Sequence, residues 1–407
     1  MRARRDQPAS FPAFRLCECC RYLVSKITIR ADQKRLGHGV RRFLIIESET
    51  PLRRLRHDRI FFDIPEGVAA RPTLLDCHVA PALMLAMAEG RDLFVQGPLS
   101  RRMIQNAYEF VEAWTSWRPA LFSRVGIEAE SIVDHVDTRP LRAIQAFSGG
   151  LDALYTTWYH RIGGPGPSRK RLQAGLLVQG FDISPRDDHA MQIIYDQGRA
   201  ILDTVDVRLF RMKTNLKNAI RIDWEMFHGA AIACALMQFS DEFNQGLIGS
   251  SGPYDALEIP WGSNPITDPL TGGAAMTIHH DGCGRSRNDK IDAIAGWPVA
   301  ADNLRVCWRN PDPSKNCGTC EKCIRTALGF MANGHSIPKS LKAEISVADI
   351  LGCPTNNKVQ MDRFRQLRDL ALRKGVTGAW VEAIGAKLQA GNSARQKAKA
   401  PALSHAA

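Results

Sequence analysis

Two hydrophobic periods alternate along the middle of this chain. Between Arg42 and Ile132, apolar runs at residues 43–46 and 60–64 read as strands, and residues 74–88 repeat on a helical period. A strand at 92–96, a helix from Ser100 to Trp117 and a strand at 125–132 complete a small α/β module of its own, residues 31–140. Ser100 is the expected N-cap of that helix, because its hydroxyl can accept from helix amides that have no partner.

A second block starts near Leu141. An apolar strand at 143–147 runs straight into Ser148-Gly149-Gly150, and a helix follows at 151–160. The Gly-Pro-Gly-Pro run at 164–167 ends it, since proline has no amide to donate and glycine favours turns. The pattern continues as a strand at 174–179, a helix opened by Ser184 and Pro185 and running to about 202, and a strand at 205–211. A helix at 223–239 and a strand at 245–248 follow. Strands and helices alternating at this spacing predict an α/β fold, a parallel sheet with helices on both faces. This block spans residues 141–335. Residues 336–392 read as helical, most clearly at 361–372 and 379–388. Residues 1–30 lack periodicity and are expected to form a disordered basic arm. Residues 393–407, rich in Ala, Lys and Ser, are the expected disordered tail.

Composition narrows the function classes. With 407 residues and 44% hydrophobic content the chain can fill more than one core without disulfides. Its longest apolar stretches, 79–88 and 229–237, fall short of the ~18 residues a spanning helix needs, so they read as buried helices and no membrane partner is expected. The basic N-terminus has Arg15, Cys17, Glu18 and Arg21 where a secretion signal needs an unbroken apolar core, which makes a cytoplasmic location the expectation. The net charge of +12 suggests a polyanion partner, but nine of those charges lie in the first sixty residues. A solvated arm and an RNA-binding one both fit.

The turn after the strand at 143–147 carries candidate chemistry. A glycine-rich turn between strand and helix aims several backbone N–H groups at one point, and the helix start adds partial positive charge, which suits an anion. Gly149 and Gly150 permit positive φ and close backbone approach, Ser148 adds a hydroxyl, Leu151 opens the helix, and Asp152 can hold Mg2+ against phosphates. No GxxxxGK[ST] loop occurs, and Gly282-Cys283-Gly284 lacks the third glycine of a dinucleotide fingerprint. The run from Phe147 to Ala153 resembles the SGGxD[S/T] signature of the PP-loop ATP pyrophosphatases, an adenine nucleotide alpha-hydrolase-like group. That resemblance implies ATP and Mg2+, cleavage between the α and β phosphates and transfer of AMP to a substrate oxygen. Ala153 stands where the family has Ser or Thr, so one side-chain donor is missing.

Four of the eleven cysteines crowd together: Cys307, Cys317, Cys320 and Cys323, spaced C-x9-C-x2-C-x2-C. Thiolates this close suit tetrahedral Zn2+; an iron–sulfur cluster or a chance group of buried cysteines are the alternatives. Four protein ligands would leave no open position, so such a metal braces the fold and leaves the chemistry elsewhere. The residues Asp289-Lys290-Ile291, Val306-Cys307-Trp308 and Asn316 to Arg325 resemble the C-terminal half of the 7-cyano-7-deazaguanine synthase family, over about residues 141–334. The resemblance implies ATP-dependent conversion of a carboxylate with ammonia, a four-cysteine zinc site, and here a relative with its own substrate. Neither the N-terminal module nor the C-terminal helices are covered by it.

Further candidates stand beside these. Lys290 reads either as a cation stabilising departing pyrophosphate or as part of a basic surface turn. Trp261 and Ser263, in a loop after a strand end, are candidate substrate contacts. His279-His280-Asp281 reads as an acid–base group or as structural pairs, and Asp182 as a nucleotide contact or a helix cap. Cys283 keeps thiolation open. Three functions follow: adenylation of a small-molecule acid or amide followed by attack of a nitrogen nucleophile, ATP-dependent RNA modification, or a non-catalytic nucleotide-binding scaffold. A homodimer is compatible with each.

Overall fold

The computed structural model describes residues 26–37, 39–65, 72–307, 309–355 and 358–399. Its strands are β1 (Ile27–Leu36), β2 (Gly39–Ser48), β3 (Arg59–Pro65), β4 (Leu93–Ser100), β5 (Ile127–Val133), β6 (Ala143–Ala146), β7 (Leu172–Gln179), β8 (Arg208–Thr214), β9 (Gln245–Gly249) and β10 (Thr277–Asp281). The main helices are α1 (Asp76–Glu89), α2 (Arg101–Trp117), α3 (Leu151–Trp158), α4 (Asp188–Leu202), α5 (Trp224–Met237), α6 (Arg287–Ala295), α7 (Glu321–Ala332), α8 (Lys358–Arg373) and α9 (Ala379–Lys399).

All ten strands form one sheet, in the order β10-β9-β6-β7-β8-β3-β2-β1-β4-β5. The pairs from β10 to β8 are parallel, as are β1–β4 and β4–β5, while β8–β3, β3–β2 and β2–β1 are antiparallel. The expected α/β class with a mostly parallel sheet is therefore present. The N-terminal module, however, has no sheet of its own. It joins the second block where Phe62 and Asp63 of β3 pair with Thr214 and Lys213 of β8. Two exposed strand edges satisfy each other's backbone groups there. Asn215 clamps the seam, accepting from the Phe61 N–H at 2.9 Å and donating to the Arg59 carbonyl at 3.2 Å.

Adjacent strand residues face opposite cores: Ile248 belongs to the one beneath α1, α2 and α5, and Leu247 to the one beneath α3, α4 and α6 to α9. The two stretches read as buried helices, α1 and α5, are apolar on nearly every side and share the first of these cores. The Asp76 carboxylate, itself buried, accepts from Ser100 N–H at 2.9 Å, Ser100 Oγ at 2.6 Å and Ala274 N–H at 3.3 Å, tying α1 to the segment before β10. Ser100 caps α2 as expected, through Met103 N–H at 3.1 Å. No helix among the described residues is long and apolar enough to cross a membrane.

Several expected boundaries move. The expected arm at 1–30 lies mostly outside the described residues, but β1 already begins at Ile27; the expected tail at 393–407 overlaps α9, whose helix runs to Lys399. α4 begins after Asp187, which caps it through Ala190 N–H at 3.0 Å, because Ser184 is spent on a turn, its Oγ accepting from Arg186 N–H at 3.3 Å and its carbonyl from Asp187 N–H at 3.1 Å. β8 starts at Arg208, since a short helical turn and Asp206 at φ 52° occupy the preceding residues.

Candidate phosphate loop and metal centre

The glycine turn leaves β6 between β9 and β7, at the carboxyl end of parallel strands, where such sheets bind ligands. Gly149 takes φ 70°, a conformation that a side chain would strain. Gly150 is the N-cap of α3, and no side chain caps this helix. Ser148 Oγ accepts from Gly150 N–H at 3.3 Å. Next door, a Cβ on Gly249 would lie 2.8 Å from the Asp152 carbonyl oxygen, so its bare backbone is what lets the end of β9 lie against the first turn of α3.

Cations surround this turn. A capping box formed by Ser286 and Asp289 starts α6 and sets Lys290 facing inward. The Lys290 ammonium lies 3.1 Å from Asp152 Oδ1 and donates to the Ser250 carbonyl. On the other side, Arg305 donates its backbone N–H to the Gly149 carbonyl at 2.9 Å and its guanidinium to the Ser148 carbonyl at 3.1 and 3.3 Å; Asp182 lies 3.7 Å from it. Arg287 donates to Thr326 Oγ1 at 3.1 Å, leaving its buried Nε without a partner. Arg325 pairs with Glu321 at 2.6 Å. Burial pushes Arg287, Arg305, Lys322 and Arg325 below their ordinary pKa values, Arg325 to about 9. Repulsion from Arg287 adds to this at Lys322 and Arg325, whereas Asp182 and Asp152 oppose it at Lys322. Groups that crowd like charge out of water in this way stabilise an incoming anion.

The four cysteines converge. Their sulfurs lie within 4.8 Å of one another, with Sγ–Sγ separations of 3.9 Å (Cys307–Cys320), 3.8 Å (Cys317–Cys323) and 3.5 Å (Cys320–Cys323). A tetrahedron with bonds of about 2.3 Å has edges of about 3.8 Å, so the group could hold a metal ion such as zinc. Backbone N–H groups of Arg309 and Cys320 point at the sulfurs of Cys307 and Cys317, both at 3.3 Å, a setting that favours thiolate. The hydrogen bond with Cys323 draws Cys320 down to about 5 and holds the Cys323 thiol well above its ordinary value.

The remaining candidates sort into structural pairings. His280 Nδ1 lies 2.8 Å from Asp268, which also accepts from Ser263 Oγ at 2.7 Å; all three side chains are buried. Asp281 meets the buried His160 at 3.1 Å, so His279-His280-Asp281 is divided among different partners and forms no single acid–base group. The Trp261 ring stacks edge-on to His228 at 5.5 Å, and Cys283 is buried with its thiol 3.2 Å from the Gly252 carbonyl. Asp182 does not cap α4; it faces Arg305. Arg287, Arg305, Lys322 and Arg325 were not picked out from the sequence. Their signal was position, since Lys322 lies between Cys320 and Cys323, Arg325 follows Cys323 by two residues and Arg305 precedes Cys307 by two. A cleft lined by Arg42, Cys77, His78 and Gln238 lies instead by the antiparallel strands and holds none of the residues singled out from the sequence. Comparison with protein-family models, curated proteins and solved structures finds no match.

Proposed function

We propose that this chain is an ATP-dependent enzyme with a PP-loop at Ser148 to Asp152, which adenylates a small acid or amide and then passes the acyl group to a nitrogen nucleophile. The observation that carries this reading is the glycine turn opening α3, uncapped by any side chain and flanked by Lys290 and Arg305. Free amides, a helix start and surplus positive charge are what a polyphosphate requires. The resemblance in sequence supplies the reaction class.

In this reading the substrate oxygen attacks the α phosphorus, the bond from that phosphorus to the bridging oxygen breaks, and pyrophosphate leaves with the electron pair. The nitrogen nucleophile then attacks the acyl carbon, and AMP leaves carrying the substrate oxygen. Backbone amides of Gly149, Leu151 and Asp152 hold the phosphates, that of Gly150 being given to Ser148 Oγ, and Lys290 balances charge on departing pyrophosphate. Magnesium bound with the nucleotide would neutralise phosphate charge, and Asp152, with 26% of its side chain exposed, is the residue to hold it. The cysteine group would hold zinc as a brace.

Release of AMP and pyrophosphate from ATP, followed across a panel of small carboxylic acids and amides with ammonia present, tests this. Acid-dependent release of both products supports it. ATP binding with no turnover on any acid points to a scaffold, and release that needs RNA points to an RNA substrate.

A further inference from the structure

We infer that Arg305 is a positioning residue that couples the four-cysteine centre to the phosphate loop, so that metal and nucleotide strengthen each other's binding. For its ligand this rests on the ATP reading; its structural half does not.

The path is short and made of hydrogen bonds. Arg305 holds two consecutive carbonyls of the loop, Ser148 through its guanidinium and Gly149 through its backbone N–H. Two residues on, Cys307 is a member of the cysteine group. Between them the chain is clasped by Asn316, whose Oδ1 accepts from Val306 and Cys307 N–H at 2.9 and 3.0 Å and whose Nδ2 donates to the Leu304 and Ser340 carbonyls, both at 2.8 Å. Asn316 directly precedes Cys317, a second member. A metal bound to both cysteines therefore closes a ring through Cys307, the 304–307 segment, Asn316 and Cys317, and Arg305 projects from that ring onto the loop.

The Arg305 side chain is 8% exposed, so it has little water to turn to if the ring loosens. On its far side the loop is pinned by Lys290 to Asp152, a contact that uses no part of the cysteine group. Loss of metal should free one wall of the loop, around Ser148 and Gly149, and spare the other. Turning those carbonyls sets the direction of the amides that follow, which are the groups meant for phosphate. Coupling between two ligands is reciprocal, so the same factor appears in both affinities.

Zinc affinity of the full chain, read by competition with a chromogenic chelator with and without saturating ATP and magnesium, tests the link. ATP should tighten zinc about fivefold or more, and zinc should tighten ATP by the same factor. Arg305→Ala should still bind one zinc with the factor reduced to about one, and Arg305→Lys should restore part of it. Without any nucleotide, removing zinc should speed hydrogen exchange at amides 149–152. Equal zinc affinity with and without bound ATP overturns the proposal, and so does loop exchange that ignores the metal. If ATP does not bind at all, the ATP reading fails by itself, and the exchange measurement alone decides the coupling. Both wild-type measurements stand even if Arg305→Ala does not fold.

Discussion

The ammonium of Lys290 lies 3.1 Å from Oδ1 of Asp152, and its side chain is only 1% exposed. Both residues sit in the first turns of helices, α6 and α3, where the helix dipole favours the carboxylate and disfavours the ammonium. A buried lysine in that position depends on the negative charge beside it, now Asp152 and, in the proposed reaction, pyrophosphate as well.

Replacing it by methionine keeps the stem and removes the charge. Pyrophosphate release by Lys290→Met should fall by about 10² to 10³. Asp152 is partly exposed and can take water, so the melting temperature should move by only a few degrees. A variant that melts like wild type and turns over like wild type would remove Lys290 from the chemistry.

Metal analysis of the purified chain should give one zinc per molecule. Four buried or half-buried thiolates have no other partner chemistry of comparable strength, and structural zinc contributes directly to folding. Cys320→Ser should lower both zinc content and melting temperature. A visible thiolate-to-iron absorption with iron in place of zinc would assign an iron–sulfur centre to the same cysteines.

Acid should weaken the fold partly through His279. Burial, and after it the Lys170 charge, lowers its pKa from 6.5 to about 4. In the folded chain this imidazole stays neutral between those values, whereas in the unfolded chain it takes a proton. Its contribution is thus present above pH 6.5 and is lost as pH falls toward 4. After allowing for its partial exposure the effect is at most about 2 kcal/mol. Denaturant unfolding of wild type and His279→Gln at pH 7 and pH 4.5 measures it: the variant should lose less stability on acidification, and an equal loss would contradict the assignment.

The seam between β3 and β8 should behave as interior structure. Asn215→Ala removes two hydrogen bonds to β3 and should cost about 1–2 kcal/mol. Because one core runs beneath strands of both halves, unfolding should proceed as one transition followed identically by fluorescence and circular dichroism. Two separated transitions would mean that the halves fold independently.

Much of this arrangement was legible in the chain because it is local. Apolar runs marked β2, β3, β7 and β9, the serine at 100 announced its own helix, and the cysteine spacing announced a cluster. What stayed hidden is non-local or polar. β10 reads Thr-Ile-His-His-Asp and has no apolar run to reveal it, and β1 carries Arg30 and Lys34 on one face and Arg35 on the other, which breaks its apolar alternation. The β3–β8 pairing joins residues some 150 positions apart. The charges at the loop come from α6, α7 and the segment before Cys307, and only folding brings Arg305 onto Ser148 and sets Arg287 and Lys322 within reach of the Asp152 charge. The start of α4 was misplaced because Ser184-Pro185 and Asp187 are equally good caps, and a turn consumed the first.

The proposed binding of a triphosphate by the turn is tested most directly by calorimetric titration of ATP and magnesium into zinc-loaded wild-type chain and into Gly149→Ala. A Cβ at Gly149 meets nothing nearer than 3.9 Å, so the substitution acts only through backbone strain at φ 70°, about 1–2 kcal/mol. One ATP per wild-type chain, bound roughly tenfold more weakly by a folded Gly149→Ala, is the predicted result. Silence on titration of a fully metal-loaded wild-type chain, or an undiminished affinity in Gly149→Ala, would contradict it.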